Sequence, residues 1–165
     1  EKAFLNCTSL RNIVLPDSVQ NINANAFGGV GFKNILFSDE KHMIEKTLYI
    51  SLNSNLSIIK NNAFETTNFV TNGTINTTNI LEEVSLPSKF TFSPDDYNFL
   101  LSSKLKKVNL HEDILNIRNE NNVITLSTTL IRVIPLNETN EKIELLDLSS
   151  IQNVYPYAFY GCDIM

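Results

Sequence analysis

Apolar residues near the start of the chain change their spacing twice. Phe4, Cys7 and Leu10 recur every three residues, which places them on one face of a short helix or 3₁₀ turn. Ile13-Val14-Leu15 then alternates as a short strand does, with Ile13 and Leu15 facing in and Val14 facing out. Pro16 cannot donate a ladder hydrogen bond and ends the strand. Val19 and Ile22 return to the interior before the next Ala-Phe. The unit from Ala3 to Ile22 therefore reads as helical turn, strand, corner and short extended return.

Moving this template along the chain finds it again. A shift of 23 carries Ala3-Phe4 onto Ala26-Phe27, and one deletion then puts Phe32, Ile35 and Phe37 in the places of Leu10, Ile13 and Leu15. A shift of 95 needs no gap: Phe99, Ser102, Leu105, Val108, Leu110, Ile114 and Ile117 fall on Phe4, Cys7, Leu10, Ile13, Leu15, Val19 and Ile22, with Ser102 the one polar exception. Residues 81–88 repeat 10–17, proline included, and 56–64 repeat 19–27. Ile124, Leu126, Leu130 and Val133 fill strand and return positions without a helical face before them. Leu146, Leu148, Ile151 and Val154 do so with one residue deleted and lead into Ala158-Phe159. Such a pattern predicts a stack of about six or seven degenerate rungs, in which each buries its apolar face on its neighbours. Residues 38–48 and 65–80 fit no rung. The second stretch, rich in Thr and Asn with Asn72-Gly73, reads as a protruding loop; taking Ile75, Thr78 and Leu81 as a poor helical face gives one more rung instead.

The run Ala-Phe-x-x-Cys-x-x-Leu-x-x-Ile-x-Leu-Pro-x-Ser-Val-x-x-Ile, from Ala3 to Ile22, resembles the BspA-like leucine-rich repeat. The resemblance is strong over 3–37, 81–87, 97–117 and 146–162 and weak elsewhere. It implies a right-handed leucine-rich-repeat solenoid, a β/α superhelix of short strands and short helical or 3₁₀ turns. It also implies a surface or secreted protein that adheres to other proteins or cells. The whole of 1–165 reads as one such segment of a longer chain, since it starts inside a repeat phrase and has no polar capping rung.

Composition narrows the partners. The formal net charge is −5 and no basic run exceeds Lys104-x-Lys106-Lys107, so nucleic acid and anionic membranes, which need clustered Lys and Arg, are unsuitable. No apolar run approaches the roughly 20 residues of a membrane span. Asparagine makes up about one residue in seven, read as coding bias ahead of any functional ladder. Sequons occur at Asn6, Asn55, Asn72, Asn76 and Asn137, and each is an acceptor only in a secreted eukaryotic protein.

Candidate chemistry is sparse. Cys7 and Cys162 hold equivalent template positions about six rungs apart, nearly 30 Å at strand spacing, whereas a disulfide needs Cα atoms within about 7 Å. They read as buried, inert thiols. His42 and His111 have no second ligand at metal spacing, and no cofactor is expected. Asp95-Asp96 after Pro94 reads as a turn, and Gly28-Gly29 with Gly31 as a tight bend where Val30 replaces Cys7. No nucleophile, base and acid grouping has any spacing behind it, so catalysis is not expected.

What remains is the face of the strand ladder that points away from the core. Asn12, Val14, Asn34, Leu36, Glu83, Ser85, Lys107, Asn109, Thr125 and Asp147 line it. Concave solenoid faces bind proteins, and the row is mixed in polarity; a merely solvated face is the other open reading. Three functions follow: a protein-binding module at the cell surface or outside the cell, an intracellular assembly scaffold, or a spacer beside a catalytic domain elsewhere.

Overall fold

A computed structural model describes residues 1–37, 48–65, 68–71, 74–77, 80–93, 96–102, 104–114, 117–120, 122–134, 148–159 and 162. Its elements are short strands: β1 Asn12–Val14, β2 Asn21–Ile22, β3 Asn34–Phe37, β4 Tyr49–Leu52, β5 Ile58–Ile59, β6 Asn68–Thr71, β7 Thr74–Thr77, β8 Glu83–Leu86, β9 Lys107–Leu110, β10 Ile117–Glu120, β11 Val123–Leu126, β12 Thr129–Val133 and β13 Asn153–Val154. A 3₁₀ turn spans Asn98–Leu100. The largest sheet has five strands in the order β1-β4-β3-β8-β9, and every neighbouring pair is parallel. β2 and β5 form a separate parallel pair behind it.

The Ala-Phe phrase is a tight turn held by its own backbone. Leu5 N donates to Lys2 O, Cys7 N to Phe4 O and Gly28 N to Asn25 O, the i→i−3 bonds of a 3₁₀-like turn. The residue before Ala-Phe is left-handed in four copies: Lys2 (φ 58°), Asn25 (56°), Asn62 (62°) and Tyr157 (63°). Asparagine tolerates that conformation better than most residues. At the turn's other end Asn6 (φ 60°) corresponds to Gly29 (φ 75°), and a Cβ on Gly29 would run into Asn6 Oδ1. Asparagine and glycine are the two residues that tolerate this left-handed position best, and glycine at 29 also leaves room for the Asn6 side chain.

These turns stack in chain order. Phe4 N donates to Ala26 O at 2.8 Å and Phe27 N to Ala63 O at 2.9 Å; Asn6 N reaches Gly28 O and Gly29 N reaches Glu65 O in the same manner. The rings follow the backbone, with Phe4 and Phe27 stacked at 5.2 Å and Phe27 and Phe64 at 5.7 Å. Inward strand residues Ile35, Ile50, Val84 and Val108 complete one continuous apolar cluster with Phe32, Leu56, Ile59, Leu81, Phe99 and Leu105. A smaller cluster forms around Leu130, Val133 and Ala158. In the gap-free match at 97–117, Phe99, Ser102, Leu105, Val108, Ile114 and Ile117 are buried and Leu110 is half-buried against the core.

Three departures from a simple stack are visible. First, β4 follows β3 in the chain but lies between β1 and β3, with Asn12, Tyr49 and Asn34 in one register row. The sheet side thereby gains a strand that the stack of Ala-Phe turns lacks. Second, residues 117–133 are not a parallel rung: β10, β11 and β12 run antiparallel in sequence, with a register shift between Ile124 and Thr125. Left-handed Asn122 (φ 65°) and Ser127 (φ 52°) sit at the two tight connections, where hairpin turns need positive φ. Parallel pairing resumes between β12 and β13. Third, β6 and β7 form an antiparallel hairpin of their own within 65–80, with Asn72-Gly73 between the strands and Ile75 on β7, not on a helical face.

Polar side chains tie the corners of adjacent rungs. Buried Asn53 donates through Nδ2 to Pro16 O at 2.8 Å and Val19 O at 3.0 Å, and its Oδ1 accepts from Asn55 N at 2.7 Å. Asn55 Nδ2 donates to Asp17 O, and Asn55 Oδ1 accepts from Lys89 Nζ. Asp96, read from sequence as part of a turn, does close one, with its N–H on Ser93 O. Its carboxylate is also buried against another rung, accepting from Lys60 Nζ at 2.7 Å and Asn61 N at 3.0 Å. Burial alone would raise its pKa, but the hydrogen bonds from Lys60, Asn61 and Ser93 and the Lys60 charge together hold it below the usual aspartate value.

Two predictions follow from this packing. Phe27→Ala removes a ring stacked on both sides and should cost about 3–5 kcal/mol, whereas Phe4→Ala, at a half-buried ring stacked on one side, should cost clearly less. Urea unfolding of the two variants checks the order, and equal losses would count against a stack centred on Phe27. Because the folded pKa of Asp96 is depressed, its stabilisation is present above the unfolded value near 4 and lost as pH falls through the folded value. Asp96→Asn should therefore destabilise at pH 7 and flatten the loss of stability between about pH 5 and 2, as read by denaturant melts across that range.

Candidate functional site

The candidate face consists of the side chains that alternation turns outward from the five-stranded sheet. In register these are Asn12 and Val14 on β1, Tyr49 and Ser51 on β4, Asn34 and Leu36 on β3, Glu83 and Ser85 on β8, and Lys107 and Asn109 on β9. Strand geometry thus brings eight of the ten predicted residues onto one sheet. Thr125 does not join them, because it lies on β11 of the antiparallel meander. Asp147 lies outside the described residues.

The face is not uniformly open. Val14 is 61% exposed, and Asn12 and Lys107 are exposed as well. In the middle of the row Leu36 is 1% exposed, Ser51 0% and Ser85 2%, and Asn34 is buried. Leu36, Asn34 and Ser85 were expected at the surface, and the structure corrects all three. β3 and β8 are interior strands with a neighbour on each side, and Asn34 and Ser51 both have interaction partners. Leu36 is withdrawn from water as an apolar side chain of its size favours, although it belongs to neither apolar cluster.

Much of the remaining polarity is internally matched. Glu83 Oε1 accepts from Lys107 Nζ at 3.4 Å and from Asn109 Nδ2 at 3.0 Å, and the same amide nitrogen donates to Ser85 Oγ at 3.0 Å. Just before the strands, Glu82 lies between Lys33 (3.2 Å) and Lys106 (3.4 Å). Partial burial raises the pKa of Glu82, and the hydrogen bonds and charges of Lys33 and Lys106 outweigh it and lower the net value. These pairs are solvent-washed and contribute little stability each, but they fix which polar groups face outward.

The other candidates resolve differently. Cys7 is exposed, not buried: the Cys7 seat is covered in the next rung, where Val30 is buried, but open at this edge of the stack. Cys162 is half-buried with its thiol toward Val133 O, and Cys7 and Cys162 are not joined in a disulfide. His111 Nδ1 accepts from Asp113 N at 3.2 Å in a corner and its ring meets the edge of Phe37; His42 lies outside the described residues. Gly28 and Gly29 form the tight bend, with Leu5 Cδ1 only 2.9 Å from where a Gly28 Cβ would be. Among the sequons, Asn6 is exposed and Asn55 is engaged in the corner network. Only the backbone of Asn76 is described, on β7, and Asn72 and Asn137 lie outside the described residues. A cleft of about 260 Å³ beside Ser88, Phe90, Thr91, Asp113 and Leu126 is below the usual range for small-molecule sites. Among the described residues no group of three or more His, Cys, Asp or Glu is placed to hold a metal ion, and no helix is long and apolar enough to cross a membrane.

Sequence reasoning missed Asn53, the Lys60–Asp96 tie and a buried arginine, Arg132. Only Arg132 left a trace, as a cation inside the apolar run Leu130-Ile131-Arg132-Val133-Ile134.

Comparison with known families returns a match over the first part of the chain. Residues 1–79 match the family model described as a BspA type leucine rich repeat region, with six copies. No curated protein matches the chain, and no solved structure does. The match covers the first two Ala-Phe turns, β1 to β5, the third Ala-Phe turn and the β6–β7 hairpin. Residues 1–79, a little under half of the chain, are thus a BspA-type leucine-rich-repeat region.

Proposed function

We propose that this chain is a non-enzymatic protein-binding module, a leucine-rich-repeat solenoid of right-handed sense displayed at a cell surface or secreted, and that it acts in adhesion. The observation that carries the reading is the parallel ladder of β1, β4, β3, β8 and β9 within a chain matching the BspA-type repeat. Families of this repeat type serve mainly in protein interaction, and a rigid ladder presents side chains at fixed spacing along an extended surface. The open parts of that surface are its margins, Asn12 and Val14 on one side and Lys107 on the other. The hairpin β6–β7, set apart from the main sheet, is a second contact region.

One observation favours the alternative, an intracellular scaffold. The centre of the outward row is buried, and Glu83, Ser85, Lys107 and Asn109 satisfy one another. A surface occupied with internal partners suits a spacer whose contacts lie at ends and insertions.

Binding of the purified chain to immobilised extracellular-matrix proteins and to whole cells separates the two. The adhesion reading expects saturable binding that Val14→Glu with Lys107→Ala weakens by about tenfold or more with little shift in the thermal melt. Saturable binding that survives the double substitution would move the interface off the sheet. Absence of saturable binding, together with recovery of the native protein in the cytosolic fraction, would support the scaffold. Leu36→Glu is unsuitable as a probe, since burying a carboxylate there would unfold the sheet.

A further inference from the structure

Arg132, on β12, is 0% exposed. Its Nε donates to Leu100 O at 3.0 Å, its Nη2 to Ser102 O at 3.4 Å and its Nη1 to Ala158 O at 3.4 Å. The guanidinium thus spans two turns of the repeat, 97–102 on one side and 157–159 on the other. A charge in that setting is expensive unless it is fully hydrogen-bonded, so its position needs a reason.

The carbonyls it meets supply one. In the regular part of the stack, Gly28 O and Glu65 O accept the N–H of Asn6 and Gly29, and Ala26 O and Ala63 O accept that of Phe4 and Phe27. By the template, Leu100 corresponds to Gly28 and Glu65, and Ala158 to Ala26 and Ala63. Arg132 donates to both kinds of seat. Its neighbour Val133 donates N–H to Ala158 O at 2.7 Å, as Phe27 does to Ala63 O, so Arg132 itself stands where Ala26 stands. Ile22 and Phe27 are five apart, but Leu130 and Val133, which pair with the next rung in the same way, are three apart. The chain crosses this level as extended strand, and its Ala-Phe turn is missing.

We infer that Arg132 is a latch: one buried guanidinium takes the place of the missing turn and holds the terminal rung, β13 with 155–159, to the body of the stack. Arg132 reaches Ser102 through its backbone carbonyl, while the Ser102 hydroxyl, buried where Cys7 and Val30 are its equivalents, accepts from Lys104 N at 3.1 Å. Beside Arg132, the rung is held to β12 by two ladder pairs, by bonds such as Val133 N to Ala158 O at 2.7 Å and Gln152 N to Thr128 O at 2.8 Å, and by the small apolar cluster around Leu130, Val133 and Ala158. The Tyr97–Tyr155 stack at 5.1 Å and the bond from Tyr97 Oη to Pro156 O at 3.1 Å hold it to the 97–102 turn. Release of the latch returns the charge to water, which offsets part of the loss, so the terminal rung should open by itself before the main stack does.

Native-state hydrogen exchange on the intact chain, resolved by peptide, tests this with Arg132→Met and Arg132→Lys. Both should speed exchange over 151–159 by roughly tenfold or more while leaving 49–64 at the wild-type rate. Lys keeps the charge but lacks the fork that reaches carbonyls on two sides. Unchanged exchange over 151–159 in Arg132→Met would reduce Arg132 to a space filler and overturn the latch. Equal acceleration of both segments, or failure of the variant to fold, would make Arg132 a support of the whole fold and overturn it as well. Tyr97→Phe, which removes only the bond to Pro156, should accelerate the same segment to a smaller extent; acceleration over 49–64 instead would break the assignment of the terminal rung as a separate unit.

Discussion

The structure depends on one constraint: each turn of the repeat must offer the next both an apolar face and a matched set of backbone donors and acceptors. A single rung satisfies neither requirement alone, because its Phe and its strand residues have nothing to bury against and its N–H groups point out of its own plane. The left-handed residue before Ala-Phe meets both conditions at once. It swings the chain so that the Phe ring lies on the previous ring and the following N–H groups meet the carbonyls of the next turn. Asn25 and Asn62 hold that position in the middle of the stack. Lys2 and Tyr157 hold it in the first and last turns, with less favourable side chains for positive φ.

The part of this that the sequence makes legible is the part set by nearest neighbours. Spacing by three at Phe4, Cys7 and Leu10 and alternation at Ile13 and Leu15 report which side of the chain meets apolar matter, and burial of Phe99, Leu105 and Val108 by the same template bears that out. Strand order is another matter. Asn12, Asn34 and Tyr49 share one register row, as do Ile13, Ile35 and Ile50. Alternation assigns each of them a face and is silent on which strand lies beside which, so the placement of β4 between β1 and β3 left no mark. The meander was illegible for a related reason. Period-two alternation in Val123–Leu126 and Thr129–Val133 is the same for parallel and antiparallel pairing. Its turns also lack the Asn-Gly or Asp-Gly signal that marks a hairpin most strongly, whereas Asn72-Gly73 carries it between β6 and β7.

Asparagine illustrates how a compositional bias can conceal several local roles. Four of the eight non-glycine residues with positive φ among those described are Asn6, Asn25, Asn62 and Asn122. Asn53 bridges two corners from a buried position, Asn109 links Glu83 to Ser85, and Asn119 reaches from β10 to Val108 O at the margin of the parallel sheet. The roles use different properties: a short side chain that tolerates left-handed backbone at the turns, and at Asn53 and Asn109 an uncharged amide whose nitrogen donates twice. Coding bias can supply asparagine in excess, but it does not place it at turn entries and corners.

The candidate binding face follows from the same logic of neighbours. Outward alternation is a necessary condition for a side chain to reach a partner, and it is not sufficient. Within a parallel ladder the residue one strand over in the same row is a few ångströms away, so an outward Glu, Asn or Ser finds a hydrogen-bond partner in its own sheet before it finds one outside. Glu83, Lys107, Asn109 and Ser85 do so. Along the row of Val14, Ser51 and Leu36, the margin is open at Val14 while Ser51 and Leu36 are closed to water. Recognition by a stacked-repeat sheet is thereby driven toward its margins and its insertions, and substitutions at the centre of the ladder act on the fold before they act on any partner.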